Sequence, residues 1–495
     1  MPLEHQLSRG AVRDHEPQEV AKAGVGVAVV AVIACLAQFM VVLDSSIVNV
    51  ALPAMKEGLG LSANAQQWVV NGYLITFGGL LLAASRAGDL FGRRRVFQLG
   101  LAVFTAASLF GGLAQDGWML LLARFLQGAG AAALAPSSLS LITASHADPR
   151  QRTRAMTWWG VAASSAGAAG VVLGGLLTAS LSWRWVMLVN VPIGVGLFVA
   201  AFLCLRPSPA SRDRIRIDIP GAVTVTLAAA AIVYGVSAAP DHGWASGPVL
   251  TALVAGIALL AAFVVIERRA AEPLLPLEVF AVHNIRVSNV LTLLMGIVIT
   301  TPLFFLSLYL QQVLGESALR AGLSLLPMVS VISAGVLASQ KLIPKVGPRR
   351  LVLVGCLVTA AGLGWLARLP VRPDYVAHVL LPTLVVGAGM SVTMMPAIVA
   401  ATTGVAPRNA GVASGLINMC RQLGAALGLA ALVTVASTVT RHSGVTGPAS
   451  VVDGYRVALL VVAAVSVATG LLSLFLKGPN TRQGRSGGNA VGSAE

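Results

Sequence analysis

Charged residues are scarce in this chain. Asp, Glu, Lys and Arg together make up 11% of its 495 residues, whereas hydrophobic residues make up 56%. The mean hydropathy is +0.82. Because a water-soluble protein carries roughly 25% charged residues, the composition excludes an ordinary soluble domain and predicts a membrane protein.

Motifs for metal, nucleotide or nucleophilic chemistry are also missing. The sequence has no Walker A loop, no HExxH, no GxSxG and no Cys/His cluster. We therefore expect no enzyme activity, no metal and no cofactor, and either an ion gradient or the substrate's own gradient as the energy source. The four cysteines lie far apart in apolar runs, which predicts small buried hydrophobic residues rather than disulfides; they are Cys35, Cys204, Cys356 and Cys420.

Basic residues outnumber acidic ones, and the formal net charge is +15. No basic stripe is interleaved with aromatics on a soluble segment, so we expect no nucleic-acid partner. The basic residues lie mainly in every second loop between apolar runs, as they do on the cytoplasmic side of membrane proteins. We therefore expect both termini to be cytoplasmic and the lipid bilayer to be the main partner.

Long apolar runs account for most of the chain, and each is about the 20 residues that a membrane-spanning helix needs. The predicted fold is an all-α polytopic membrane protein with 14 transmembrane helices, and nothing has the alternating pattern of an outer-membrane barrel. The predicted spans are 26–50, 66–89, 96–114, 118–142, 155–180, 185–205, 220–239, 248–266, 287–312, 321–341, 350–368, 378–402, 410–438 and 455–476.

Two short basic loops indicate an internal repeat. Residues 88–95 and 344–350 both contain glycine followed by arginines, and paired halves are typical of transporters. Spans 7 and 8 then form an insert between two six-helix bundles. The predicted division is a cytoplasmic tail at 1–24, a bundle at 25–206, a linker and two inserted helices at 207–270, a bundle at 271–477 and a cytoplasmic tail at 478–495.

Asp44 and Arg124 are ionisable residues inside predicted spans, where burial is costly and usually serves function. Each lies about six residues from the outer end of its span, or ~9 Å deep at 1.5 Å per residue. Equal depth makes an ion pair possible, either direct or across a cavity. One interpretation is a pair that only fixes helix packing; the other is that Asp44 is the proton-coupling site and a moving Arg124 changes its proton affinity.

Small residues recur in spans 5 and 13. Gly170 and Gly174, with Gly175 beside them, form a pattern that lets helices approach closely, and Gly424 and Gly428 repeat it. Plain packing is one interpretation; a rocking interface between bundles is the other.

The loop after span 2 carries the candidate conformational latch Asp89, Gly92, Arg93 and Arg94, which otherwise is only a basic anchor. Aromatic and amide side chains within spans are candidate substrate contacts, although interfacial belts are the commoner role for the aromatics. These candidates are Asn49, Trp68, Asn71, Tyr73, Gln127, Gln311 and Gln312.

Several segments resemble one known family in the correct order. They are 43–53 in span 1, 124–130 in span 4, 183–194 entering span 6, and 309–315 followed by Ala321, Gly322 and Pro327. Between residues 25 and 477 the chain resembles the fourteen-span drug:proton antiporter branch of the major facilitator superfamily. It departs from the family motifs at Ser85 and Leu90, and at Val171, where the span 5 motif usually has proline.

The resemblance implies two six-helix bundles around a central cavity, an alternating-access cycle, and proton coupling through Asp44 with Arg124 beside it. It also implies that Asp89 and Arg93 steady one conformation. The expected function is proton-coupled export of a small lipophilic drug or antibiotic across a bacterial plasma membrane, by a monomer. The alternatives are a metabolite or nutrient carrier of the same fold and a non-transporting membrane receptor. Because acidic residues are scarce in the spans, we expect neutral, weakly basic or anionic substrates rather than dications.

Overall fold

The computed structural model describes residues 17–476, apart from 147, 206–217, 271, 276, 403–409 and 445–446. Every regular element in these ranges is helical, and fourteen helices are long and apolar enough to cross a membrane. They are α1 (Pro17–Leu59), α2 (Ala63–Phe91), α3 (Arg93–Gly112), α4 (Gly117–Ser145), α5 (Pro149–Ser180), α6 (Arg184–Cys204), α7 (Ile219–His242), α8 (Gly247–Arg269), α9 (His283–Val313), α10 (Ala318–Val346), α11 (Pro348–Leu366), α12 (Val376–Ala400), α13 (Ala410–His442) and α14 (Pro448–Phe475).

The fourteen predicted spans are confirmed, with ends that differ by up to nine residues. The first helix begins earlier than predicted, at Pro17, a residue type favoured in the first helical turn. The predicted domain boundary at 206/207 and the C-terminal tail at 478–495 lie outside the described residues, as does most of the N-terminal tail.

Helices α1–α6 form one bundle and α9–α14 form a second one, while α7 and α8 are inserted between them along the chain. The two bundles meet where α5 packs against α10 and α2 packs against α13. The inserted α7 contacts both α2 and α13, whereas α8 packs mainly on α7. The expected architecture of two six-helix bundles and two inserted helices is confirmed.

The two loops of the internal repeat have the same backbone conformation. Gly92 joins α2 to α3 with φ 92° and ψ 132°, and Gly347 joins α10 to α11 with φ 83° and ψ 149°. Glycine suits these positions because other residues rarely adopt a positive φ. We call the face that carries these two loops the basic face, and the far ends of the helices the opposite face.

Prolines interrupt two of the spans. A proline lacks the N–H that bonds to the carbonyl four residues earlier, and its ring clashes with that carbonyl. Accordingly, Pro192 follows a break at Val189 in α6, and Pro396 follows a break after Ser391 in α12. The break in α6 makes Asn190 the first residue of the inner helical segment.

Two other prolines free carbonyls for bonds between helices. Pro53 cannot bond to the carbonyl of Asn49, and the Ser307 hydroxyl of α9 donates to that oxygen at 2.8 Å. In α7, Pro240 likewise leaves the carbonyl of Val236 free. The hydroxyl of Thr434 in α13 donates to it at 2.9 Å. Both bonds lie near the opposite face.

The inserted helices are fixed at both faces. At the opposite face, the Gln67 amide of α2 donates to the Ser237 hydroxyl at 3.1 Å, and Arg441 of α13 pairs with Asp241 of α7. At the basic face, Arg86 donates to the carbonyl of Pro273 at 2.8 Å, in the segment that follows α8. The insert therefore contacts α2 of the first bundle and α13 of the second.

The glycine pattern in α5 brings backbones together on two sides. A Cβ at Gly170 would lie 2.6 Å from the Cβ of Ser46, and one at Gly174 would lie 2.7 Å from the carbonyl of Ile47, both in α1. A Cβ at Gly175 would lie 2.6 Å from the carbonyl of Ala318 in α10. Only Gly175 of the three is at the bundle interface; Gly170 and Gly174 pack α5 within its own bundle.

We expect Gly174→Ala to destabilise the protein by about 1–3 kcal/mol, because the added methyl group must push α5 away from the backbone of α1. Gly160→Ala in the same helix is the matched control, since its methyl group meets nothing within 4 Å. The control should be neutral or stabilising by up to about 1 kcal/mol. Thermal unfolding of both variants in detergent measures the difference, and equal midpoints would contradict the packing argument.

Candidate functional site

Asp44 of α1 is fully buried within the first bundle. Its Oδ2 accepts a hydrogen bond from Nη1 of Arg124 at 2.6 Å, and the guanidinium is 1% exposed. The predicted ion pair is therefore direct and inside one bundle. Because both residues belong to the first bundle, movement of one bundle against the other does not by itself separate them.

Both members of the ion pair make further hydrogen bonds to their neighbours. Oδ1 of Asp44 accepts from the amides of Asn190 at 2.9 Å and Gln127 at 3.1 Å. Arg124 also donates from Nε to the carbonyl of Val69 at 2.8 Å and from Nη1 to Gln127 at 2.9 Å. Three N–H donors, from Arg124, Gln127 and Asn190, thus converge on the carboxyl oxygens of Asp44.

A central cavity of about 370 Å³ lies beside this pair, between the first bundle and α13. Its lining comes from the parts of α2, α4 and α5 nearest the basic face, and from one side of α1 and α13. Larger depressions occur on the α9–α10 edge and between α1 and α6, but neither contains the ion pair. The central cavity is thus the one described recess that joins both bundles to the buried charges.

Tyr73 separates the cavity from the ion pair. Its ring lines the cavity and lies 4.4 Å from Cζ of Arg124, and its hydroxyl donates to the carbonyl of Val41 at 3.2 Å. Asp44 does not itself line the cavity but lies one side chain behind the wall. A molecule in the cavity can therefore touch Tyr73 and, through it, influence Arg124.

The opposite face is closed by contacts between α1 and α9. The Gln311 amide donates to the carbonyl of Val50 at 2.9 Å, next to the bond from Ser307 to Asn49. Close packing of Gly175 and Gly322 between α5 and α10 closes the same end. In this conformation the cavity therefore lies toward the basic face.

The candidate substrate contacts are dispersed. Only Tyr73 lines the cavity; Gln127 belongs to the ion-pair network, and Asn49 and Gln311 belong to the closed end. Trp68 packs on Phe125 with ring centroids 6.0 Å apart. Asn71 is buried with no hydrogen-bond partner for its amide among the described residues, and Gln312 is exposed.

The candidate latch is an arrangement within the first bundle. Arg93 lies 3.8 Å from Asp89 and donates to the carbonyl of Ser140 in α4 at 3.4 Å. Arg94 donates to the carbonyl of Phe202 in α6 at 2.7 Å. These contacts attach the loop around Gly92 to α4 and α6, and its latch role stays a prediction.

Sequence reasoning missed four polar residues of the site. Asn190 follows a Trp-Arg-Trp segment that is typical of a membrane interface. Its side chain reaches Asp44 at the point where α6 breaks before Pro192. Gln38, Asn418 and Gln422 line the cavity, but the sequence does not show which side of an apolar span an amide faces.

Among the cysteines, only Cys356 is buried; Cys204 is exposed and the other two are intermediate, so the expectation of four buried thiols is wrong.

We expect Arg124→Gln to cost about 3–5 kcal/mol of stability, because it leaves the Asp44 carboxylate buried without its cation. The double variant Arg124→Gln/Asp44→Asn should recover much of that loss. The partly exposed pair Arg456–Asp453, with both side chains 38% exposed, is the control for the same double-mutant cycle, with an expected coupling below about 1 kcal/mol. Thermal unfolding measures both cycles, and equal coupling energies would contradict the proposed importance of burial.

Known proteins are similar to this chain in sequence or in fold. The family profile of the Major Facilitator Superfamily matches residues 34–429. The cephamycin export protein of Amycolatopsis lactamdurans is 41% identical, over 89% of this chain and 91% of that protein. The puromycin resistance protein of Streptomyces alboniger is 39% identical, over 93% of both. An inward-facing, occupied bacterial homologue of the human lysosomal transporter Spinster superposes with a TM-score of 0.66 at 17% identity, over 90% of this chain and 96% of that one. The chain belongs to the Major Facilitator Superfamily of membrane transporters.

Proposed function

We propose that this transporter is a proton-coupled antiporter that exports a small lipophilic antibiotic from the bacterial cytoplasm. The observation that carries the proposal is the buried Asp44–Arg124 pair, set one aromatic side chain away from a cavity between the bundles. The names of the relatives, which include export and resistance proteins for cephamycin and puromycin, support an outward direction of transport.

The basic face is proposed to be cytoplasmic, since arginines concentrate there. The conformation with a closed opposite face is then inward-facing, and its cavity receives substrate from the cytoplasmic side. Both termini are proposed to be cytoplasmic as well. The proposed division of the chain is an N-terminal bundle at 25–206, an insert at 207–270 and a C-terminal bundle at 271–477. The protein needs no cofactor other than the proton gradient in this scheme, and each monomer contains a complete site.

Protonation of Asp44 is the proposed coupling step. A proton on the carboxylate removes the negative charge that Arg124 faces, while Gln127 and the carbonyl of Val69 still hold the guanidinium. The pair can then loosen without leaving an ion wholly unsatisfied. Release of the proton to the cytoplasm restores the arrangement described here.

Helix α1 connects this step to the closed end. Asn49, whose carbonyl is bonded to Ser307 of the second bundle, lies little more than one turn beyond Asp44. Opening at the opposite face must break this bond and the bond from Gln311 to Val50. The segment of α1 next to Asp44 is then free to shift, which gives periplasmic protons access to the carboxylate.

Asp44→Asn should abolish proton-driven export, because an amide cannot cycle between charged and neutral forms. The measurement is cephamycin uptake into inverted vesicles energised by a pH gradient, alongside the resistance of a sensitive strain to cephamycin. Asp116→Asn is the control, an exposed acidic residue with no side-chain capping bond at the start of α4. Uphill uptake by Asp44→Asn equal to that of the wild type would refute the coupling role, and uptake in the reverse direction would favour a nutrient carrier.

The orientation is tested with two single-cysteine additions in a Cys204→Ser background. Arg150→Cys lies on the basic face and Asp116→Cys on the opposite face, and both native side chains are exposed. A membrane-impermeant maleimide should label only Asp116→Cys in intact cells and only Arg150→Cys in inverted vesicles. The reverse pattern would invert the transporter and the direction of every step above.

A further inference from the structure

Arg421 of α13 lines the central cavity on the side of the second bundle. Its only hydrogen bond to a described residue is a long one, 3.5 Å from Nη2 to the Asn418 side chain, and its Nε is buried without a partner there. No described carboxylate lies within ion-pair distance of it, unlike Arg124, Arg441 and Arg456, which each have an acidic partner.

The rest of the cavity does not offset this charge. Among the described lining residues Arg421 is the one charged side chain, and the polar ones beside it are amides and hydroxyls, including Gln38 and Gln422. With no described carboxylate beside it, the guanidinium presents an uncompensated positive charge to the cavity. Phe77, Leu81 and Trp159 supply apolar and aromatic surface in the same space.

We propose that Arg421 is the anion-binding residue of the substrate site, and that the exported compound is an amphiphilic organic anion with a carboxylate, sulfonate or phosphate group. The planar guanidinium presents paired donors that match such groups. The apolar wall would hold the body of the compound, and a cavity of about 370 Å³ is suited to a small molecule. This inference rests on the proposed export function and narrows its substrate class.

An anionic substrate changes the energetics of export. The negative interior of the cell drives an anion outward. When one monoanion leaves as one proton enters, two positive charges in effect move inward. The membrane potential therefore adds to the pH gradient as a driving force.

Two dyes that differ by one anionic group provide the test. Anilinonaphthalenesulfonate and N-phenylnaphthylamine share an aromatic body, and only the first carries a sulfonate. Binding to the full-length protein in phosphatidylcholine nanodiscs is measured by equilibrium dialysis, with protein-free nanodiscs to subtract partition into lipid. We expect the wild type to bind the sulfonate more tightly than the neutral dye.

Arg421→Gln should weaken sulfonate binding roughly tenfold to hundredfold, the range expected for one charge-assisted contact, and leave the neutral dye unchanged. Arg421→Lys should retain part of the preference, because it keeps the charge and loses the paired donors. Arg320→Gln is the control, since its side chain is 76% exposed at the opposite face. A bis-quaternary dye should bind poorly to the wild type and better to Arg421→Gln.

Equal binding of both dyes to the wild type would overturn the proposal, whatever the folding of the variants. Unchanged sulfonate binding by a folded Arg421→Gln would overturn it as well. Dialysis needs no proton gradient, so the two proposals can fail separately. If the protein prefers the sulfonate but Asp44→Asn exports as well as the wild type, only the proposed proton antiport is refuted. Export that depends on Asp44 with no preference for the anion would refute only this inference.

Discussion

The organisation of the first bundle depends on one buried ion pair. Charges placed in the interior of a bilayer are tolerated only when their partners are close and every donor and acceptor is satisfied. Asp44 and Arg124 are paired and hydrogen-bonded through groups on four helices: the carboxylate on α1, the carbonyl of Val69 on α2, the guanidinium and Gln127 on α4, and Asn190 on α6. The pair therefore fixes how these helices face one another, and the cavity wall that Tyr73 forms lies directly on it.

The two bundles differ in charge although they share a repeated architecture. The first contains a cation neutralised by a carboxylate behind the cavity wall, whereas the second presents Arg421 to the cavity without a described acidic partner. The repeated glycine loops at Gly92 and Gly347 show that the backbones correspond. The intramembrane charges do not, so the proposed proton exchange and the proposed substrate contact lie on opposite sides of one cavity.

Hydropathy predicted the fourteen spans, because a membrane span is defined by its length and its lack of charge. The division into two bundles and an insert depended on the repeated loops and on the family resemblance. The equal depth of Asp44 and Arg124 made an ion pair possible, since position along a helix converts directly into height, but left open whether it is direct or lies across a cavity. Rotation about the helix axis was harder to predict. Asn49, Gln311 and Gln312 are candidate substrate contacts by sequence. In the structure the first two lie at the closed opposite face, and the third is exposed. The contact of Asn190 with Asp44 could not be predicted without knowing that α6 breaks before Pro192. The helix that Gly170 and Gly174 pack against depends on tertiary packing, which the sequence pattern does not show.

The inserted helix α7 is joined to both bundles at the same end. Ser237 accepts a bond from Gln67 of the first bundle, while the carbonyl of Val236, left free by Pro240, accepts one from Thr434 of the second. Two adjacent residues thus work as a strap across the seam between α2 and α13. The bundles cannot part along that seam unless one of these bonds breaks or α7 bends at its proline. An opening at this seam would therefore leave α7 attached to only one of the two bundles.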